Sequence, residues 1–89
     1  MTRATRYVVT GRVQGVGFRA FTLDAAQTEG LHGWVRNRPD GAVEIQAEGD
    51  AEALRRFEWR LWQGPPHGRV DDVASEDVVP GGATGFRIA

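Results

Sequence analysis

The chain has 89 residues, which suffices for one small domain and leaves no room for a second core. Its 11 basic and 12 acidic residues nearly cancel, so no overall positive field favours nucleic acid or an anionic membrane surface. The absence of cysteine excludes disulfides, thiol nucleophiles and cysteine metal sites. No hydrophobic signal segment opens the chain, so we expect a cytoplasmic protein. We also expect it to act without a metal or other cofactor.

The first predicted strand covers residues 6–13, where side chains alternate at a period of two, and residues 1–5 before it are expected to be flexible. Gly15 and Gly17 break this strand. The spacing of residues 19–29 then favours a helix that ends at Gly30. Its apolar side is formed by Phe18, Leu23, Ala25 and Ala26. A strand that runs through glycines into a helix start aims successive backbone N–H groups at one point. This stretch is therefore a candidate anion site.

Arg19 falls in the first turn of that helix, where carboxylates are the usual residues because a helix N-terminus is partly positive. Beside free N–H groups, its guanidinium would raise the local positive potential, and a bound phosphate would relieve it. An arginine that only reaches into water, next to glycines that serve a bulge or tight turn, fits the same residues.

Asn37 ends the second predicted strand, residues 33–37, and shares its parity with Val35. Its side chain should therefore point to the helix-covered side, at the rim of the core, where its amide could hold a water molecule. The turn at residues 38–41 predicts a hairpin, because proline presets φ and glycine supplies a positive φ. An Asx-type hydrogen bond within this turn is the alternative role for Asn37.

The third strand, residues 43–49, is followed by a second helix with Asp50 in the N-cap position. An apolar stripe of Leu54, Phe57 and Leu61, widened by Trp62, marks the core side of this helix, and Trp59 lies off it. The helix ends near residues 64–66. A charge-interrupted fourth strand at 70–79 suits a sheet edge, a flexible loop covers 80–85, and a short last strand covers 86–88.

This βαββαβ order with a terminal strand predicts an α+β fold, a two-layer sandwich in which two helices cover one face of an antiparallel sheet of four to five strands. The apolar face carries Val9, Val13, Val35, Val43 and Ile45. The opposite face should meet water and carries Thr10, Arg12, Arg36, Glu44, Gln46 and Glu48. Because the edges are charged, we expect a monomer.

The remaining residues narrow the chemistry. His32 and His67 fall in separate predicted loops and match no metal-ligand spacing, and no carboxylate cluster would hold magnesium. No general acid is visible that would protonate a leaving oxygen. A phosphate pocket of this kind could cleave only an ester or anhydride whose leaving group departs unaided, such as a carboxylate with a pKa of about 4. The substrate would then be a mixed carboxylic–phosphoric anhydride.

With these residues in hand, the sequence closely resembles the acylphosphatases. The first matching stretch is Val9-x-Gly11-x-Val13-Gln14-Gly15-Val16-Gly17-Phe18-Arg19. The second is Gly33-Trp34-Val35-Arg36-Asn37, followed by Gly41-x-Val43 and on to Gly49. Gly64-Pro65-Pro66 and Phe86-x-Ile88 also resemble family features, so the likeness covers nearly the whole chain.

The resemblance implies a ferredoxin-like sandwich as a single domain, residues 1–89, that hydrolyses a small-molecule acyl phosphate without metal or cofactor. It implies that Arg19 binds phosphate and that Asn37 positions the attacking water. It further implies that the phosphate, or inorganic phosphate or sulfate in its place, is held by the backbone amides of Gln14, Gly15, Val16, Gly17 and Phe18.

Two other functions fit parts of the sequence. A ferredoxin-like RNA binder needs aromatic side chains on the open face of the central strands, and the acidic residues predicted there disfavour it. A catalytically idle module that binds acyl or carbamoyl phosphate would use the same pocket. Hydrolysis separates this idle module from an enzyme, whereas anion-dependent thermal stabilisation would fit both.

Overall fold

The computed structural model describes residues 2–89 and contains five strands and two helices. In chain order they are β1 (Thr2–Arg12), α1 (Phe18–Thr28), β2 (His32–Asn37), β3 (Val43–Asp50), α2 (Ala51–Gln63), β4 (Arg69–Val78) and β5 (Phe86–Ile88). The strands form one sheet in the order β4-β1-β3-β2-β5, and both helices pack on one face of it. The predicted two-layer α+β sandwich is confirmed.

One strand pair departs from the predicted antiparallel sheet. β5 lies parallel to β2, whereas the other neighbouring strands are antiparallel. β4 and β5 occupy opposite edges of the sheet, and residues 79–85 connect them. Because β4 runs opposite to β2 and the connection reverses the chain, β5 runs in the direction of β2.

The first strand is longer than predicted. It begins at Thr2 rather than near residue 6, and residues 2–5 pair with the end of β3, in register with residues 47–50. The segment that we expected to be flexible is therefore part of the sheet from Thr2 onward, and Met1 lies outside the described residues. Alternation of side chains can be recognised only over several residues. Backbone pairing with a neighbouring strand does not depend on such a pattern, so the sequence did not predict this extension of the strand.

The helix ends follow the predicted chemistry. Helix α1 begins at Phe18, one residue before the predicted start. Gly30, at a φ of 68°, follows the last turn of this helix. Asp50 caps α2 by accepting a hydrogen bond from the backbone N–H of Glu52 at 3.1 Å. Gly64 ends α2, as predicted. These caps satisfy backbone groups that a helix leaves unpaired at its termini.

The core lies between the sheet and the two helices. All five predicted apolar sheet positions are buried: Val9, Val13, Val35, Val43 and Ile45. The stripe on α2 is confirmed for Leu54, Phe57 and Leu61, but Trp62 is 45% exposed and does not belong to it. On α1, the small residues Thr22, Ala25 and Ala26 are buried against the sheet, and Leu23 is only half-buried. Trp59 is exposed, as predicted.

The opposite face of the sheet is less open than predicted. Glu44 and Glu48 were expected to meet water, but both are buried, at 5% and 6% exposure. Arg6 and Arg36 lie over Glu44 from the two sides and donate hydrogen bonds to it at 2.7 and 2.8 Å. These arginines are long enough to cover a carboxylate while keeping part of the guanidinium in water.

Glu48 is covered by the connection between β4 and β5, which crosses this face of the sheet. The backbone N–H groups of Gly82 and Ala83 donate to its two carboxylate oxygens. His32 is the first residue of β2, not a loop residue, and its Nδ1 accepts from the N–H of Gly85 at 2.7 Å. The connection that the sequence predicted to be flexible is thus held at three positions.

Neither helix of residues 2–89 has the length and apolarity that a membrane crossing requires.

Candidate active site

Two glycines shape the loop between β1 and α1. Gly15 has a φ of 73° and Gly17 a φ of 82°, in the left-handed region where a side chain costs about 1–2 kcal/mol. Gly17 is the N-cap of α1, so no side chain caps this helix, and its first turn holds no acidic residue. The loop therefore turns from strand to helix with its backbone uncovered.

The backbone of this loop presents free donors. In residues 2–89, no protein acceptor receives a hydrogen bond from the N–H groups of Gly15, Val16 or Gly17. Arg19 follows in the first turn of α1, exposed and without a carboxylate partner in that same part of the chain. Free N–H groups, a helix N-terminus and an unpaired guanidinium together favour an anion.

Asn37 contributes an amide at the end of β2. Its side-chain Oδ1 is buried and has no hydrogen-bond partner among the described residues. The Asx-type bond considered for it is made by a neighbour instead, since Asp40 Oδ1 accepts from the N–H of Ala42 at 3.1 Å. A buried acceptor without a partner costs about 1–3 kcal/mol. Asn37 therefore offers an acceptor to a ligand or a water molecule.

A pocket of about 270 Å³ brings these groups together. It is lined by Val13, Gly15, Gly17, Phe18, Arg19, Ala20, Asn37 and Ile88. Among residues 2–89, Arg19 is the one charged residue that lines it, and no carboxylate or imidazole of these residues does. The pocket can accordingly attract an anion and hold water, but the described residues that line it supply no acid or base for proton transfer.

A second pocket of about 260 Å³ lies at the other end of β1. It is lined by charges of both signs, with Arg3 and Arg55 beside Glu58 and Asp77. Arg3 already approaches Asp77, at 3.8 Å. Since these charges offset one another, this pocket lacks the positive character of the glycine-loop pocket. In residues 2–89, no group of three or more His, Cys, Asp or Glu side chains is arranged to hold a metal ion.

The predicted site residues divide into two groups. Gly15, Gly17, Phe18, Arg19 and Asn37 line the pocket. The other two members of the predicted amide loop, Gln14 and Val16, do not line it. The side chain of Val16 packs against the core, and that of Gln14 reaches the β2–β3 turn.

Three lining residues were missed. Val13 and Ala20 flank the predicted loop and could have been included by proximity. Ile88 comes from β5, through a parallel pairing in which it lies opposite Val35. It is 44% exposed, so part of its side chain is free at the pocket. No local signal predicts this neighbour, because it depends on which strand of the sheet β5 joins.

The chain is similar to known acylphosphatases over nearly all of its length. The acylphosphatase family model matches residues 5–88. A curated acylphosphatase of Koribacter versatilis is 55% identical over 84% of this chain and 68% of its own length. The crystal structure of acylphosphatase from Bacillus subtilis superimposes with a TM-score of 0.96 at 42% identity, over 100% of this chain and 99% of that one.

The fold also occurs inside a longer protein. The crystal structure of full-length HypF in its phosphate- and nucleotide-bound form matches 100% of this chain with a TM-score of 0.90 and 27% identity, over 12% of the HypF chain. The family match and the close relatives decide the assignment. This chain is a member of the acylphosphatase family.

Proposed function

We propose that the protein hydrolyses acyl phosphates to a carboxylate and inorganic phosphate, without a metal ion or other cofactor. Family membership supports the reaction class. The composition of the pocket supports the substrate class, because its lining within residues 2–89 combines Arg19 with Asn37 and contains no carboxylate or imidazole. The observation that carries the proposal is this pairing of an anion-binding loop with an unpartnered amide oxygen in one pocket.

The substrate follows from the leaving group. Without a general acid, the oxygen that leaves phosphorus must depart as an anion. A carboxylate does so readily, since its pKa is about 4 against about 15.7 for water. Acyl phosphates are therefore suitable substrates, whereas alkyl phosphate esters are not.

In the proposed mechanism, Arg19 and the free N–H groups of the glycine loop bind the phosphoryl oxygens and offset their charge in the transition state. Asn37 accepts a hydrogen bond from the attacking water through Oδ1 and so aligns it with phosphorus. The water oxygen forms the new P–O bond as the bond to the acyl oxygen breaks. The carboxylate leaves, and the proton of the water passes to a phosphate oxygen.

Hydrolysis of benzoyl phosphate in the presence of EDTA tests this proposal. Wild type should turn over rapidly, and Asn37→Ala should lower kcat by about 10²–10³-fold, as expected for the loss of one transition-state hydrogen bond. Because Asn37 acts on water, the inhibition constant for inorganic phosphate should change little. A loss that appears only in KM would contradict the water-positioning role.

The idle binding module is separated by the same assay. If wild type binds inorganic phosphate but releases no benzoate faster than buffer does, the protein is a phosphate-binding module. In HypF the same fold forms a small part of a larger chain.

A further inference from the structure

The side chain of Gln14 connects the two halves of the pocket. Its Nε2 donates hydrogen bonds to the backbone oxygens of Arg38, at 2.8 Å, and Ala42, at 2.9 Å. We propose that Gln14 is a positioning residue for hydrolysis: it holds the β2–β3 turn, and with it Asn37, in place relative to the phosphate-binding loop. This inference rests on the proposed function and adds a role that the backbone amide of Gln14 does not explain.

The two carbonyls that Gln14 contacts are those that close the turn. The N–H of Arg38 donates to Ala42 O at 2.8 Å, and the N–H of Gly41 donates to Arg38 O at 3.2 Å. A primary amide has two N–H donors, and Gln14 directs one to each of these carbonyls. The side chain therefore clamps both ends of the turn from one nitrogen.

The clamp acts next to Asn37, because Arg38 follows it directly in the chain. Asn37 Oδ1 has no protein partner among residues 2–89, so no side-chain hydrogen bond at that oxygen fixes its direction. The position of this oxygen then depends on the backbone that carries it. At its other end, Gln14 directly precedes Gly15, the first glycine of the loop. A displacement of about 1 Å in a reacting group costs up to about 10²-fold in rate.

Few side chains could replace this clamp. Methionine has a similar length but carries no N–H. Glutamate would place a carboxylate against two carbonyl oxygens, which repel it. Asparagine keeps both donors on a side chain that is one methylene shorter. These three variants separate the donors, the charge and the reach of Gln14.

The first experiment compares kcat for benzoyl phosphate with the inhibition constant for inorganic phosphate. Gln14→Met should lower kcat by about 10- to 100-fold through misplacement of the water, with the phosphate inhibition constant within about twofold of wild type. The kcat of Gln14→Glu should be lower than that of Gln14→Met. The kcat of Gln14→Asn should lie between those of Gln14→Met and wild type. Gln46→Met, on the sheet face away from the helices, is the matched control and should match wild type.

A double-mutant cycle shows whether Gln14 acts through Asn37. Once Asn37→Ala has removed the amide, Gln14→Met should lower kcat no further. If the decreases in kcat caused by the two substitutions multiply in the double variant, the inference is overturned. So would a phosphate inhibition constant that rises by as much as kcat falls, because the clamp would then serve the phosphate loop. Thermal unfolding of each variant shows that it is folded at the assay temperature.

A third measurement does not need activity. The side-chain amide resonances of Asn37, the one asparagine in the chain, should shift or broaden in Gln14→Met and stay unchanged in Gln46→Met. Unchanged Asn37 resonances in Gln14→Met would overturn the inference even in an active protein. An inactive wild type would instead count against the proposed function, and the resonances would still show whether Gln14 positions Asn37.

Discussion

Arg36 and Glu44 lie at directly paired positions of β2 and β3, and Arg36 Nε donates to Glu44 Oε1 at 2.8 Å. Arg6 reaches the other carboxylate oxygen from β1. Burial alone would raise the pKa of Glu44, but the hydrogen bonds from the two arginines outweigh it and lower the pKa below its ordinary value of 4.5. A residue predicted to be a solvated surface carboxylate is thus the centre of an ion-pair network.

This network predicts an acid-dependent part of the stability. Because the pKa of Glu44 is lower in the folded protein, its contribution is present above pH 4.5 and is lost as the pH falls through the folded-state pKa. Glu44→Gln should therefore be less stable than wild type near neutral pH, and the difference should narrow towards pH 2. Urea unfolding across this range measures it. A difference that does not depend on pH would contradict the network's role.

The buried Tyr7 predicts a part of the stability that is lost at alkaline pH rather than at acid pH. Burial raises its pKa to about 12, and its ring packs edge-on against Phe57. It is the one tyrosine in the chain, so phenolate absorbance reports it directly. Native protein should titrate near pH 12 and denatured protein near pH 10. Since the folded-state pKa is the higher one, this stabilisation is present below pH 10 and is lost as the pH rises through 12. A native titration near pH 10 would mean that the hydroxyl meets water.

Arg19 is expected to govern anion binding. Arg19→Ala should raise the inhibition constant for inorganic phosphate and lower kcat/KM for benzoyl phosphate by at least about 10²–10³-fold. Arg19→Lys keeps the charge but loses the forked donor geometry, so it should recover only part of the loss. Arg55→Ala, on the exposed side of α2, is the matched control and should match wild type. An unchanged inhibition constant for phosphate in Arg19→Ala would show that Arg19 is an ordinary surface residue.

Glu48 is expected to stabilise the connection that crosses the sheet. Its carboxylate accepts from the N–H groups of Gly82 and Ala83, so Glu48→Leu would leave both donors without it and should cost about 1–3 kcal/mol of unfolding free energy. Gln46→Leu, on the same face two residues earlier, is the control. Hydrogen exchange at residues 82 and 83 should accelerate in Glu48→Leu alone. Equal stability of the two variants would show that the connection needs no such anchor.

Much of the fold was predictable because it depends on near neighbours in the chain. The alternation along β3 places Val43 and Ile45 in the core whatever else surrounds it, and Asp50 caps α2 through the N–H two residues later. The glycine loop and Arg19 were identified for the same reason, since a positive φ and a helix start are local properties. The match of the two motifs to a family then supplied the expected role of each residue.

The remaining features depend on contacts between distant parts of the chain, which only the tertiary structure decides. Gln14 reaches Arg38 and Ala42, 24 and 28 positions away, and Arg6 reaches Glu44 across 38 positions. Ile88 joins the pocket because β5 pairs with β2 at an edge that no local pattern specifies. Alternation determines which face of a sheet a side chain occupies. Whether that face is then covered by water, an arginine or a crossing loop is decided by the order of the strands.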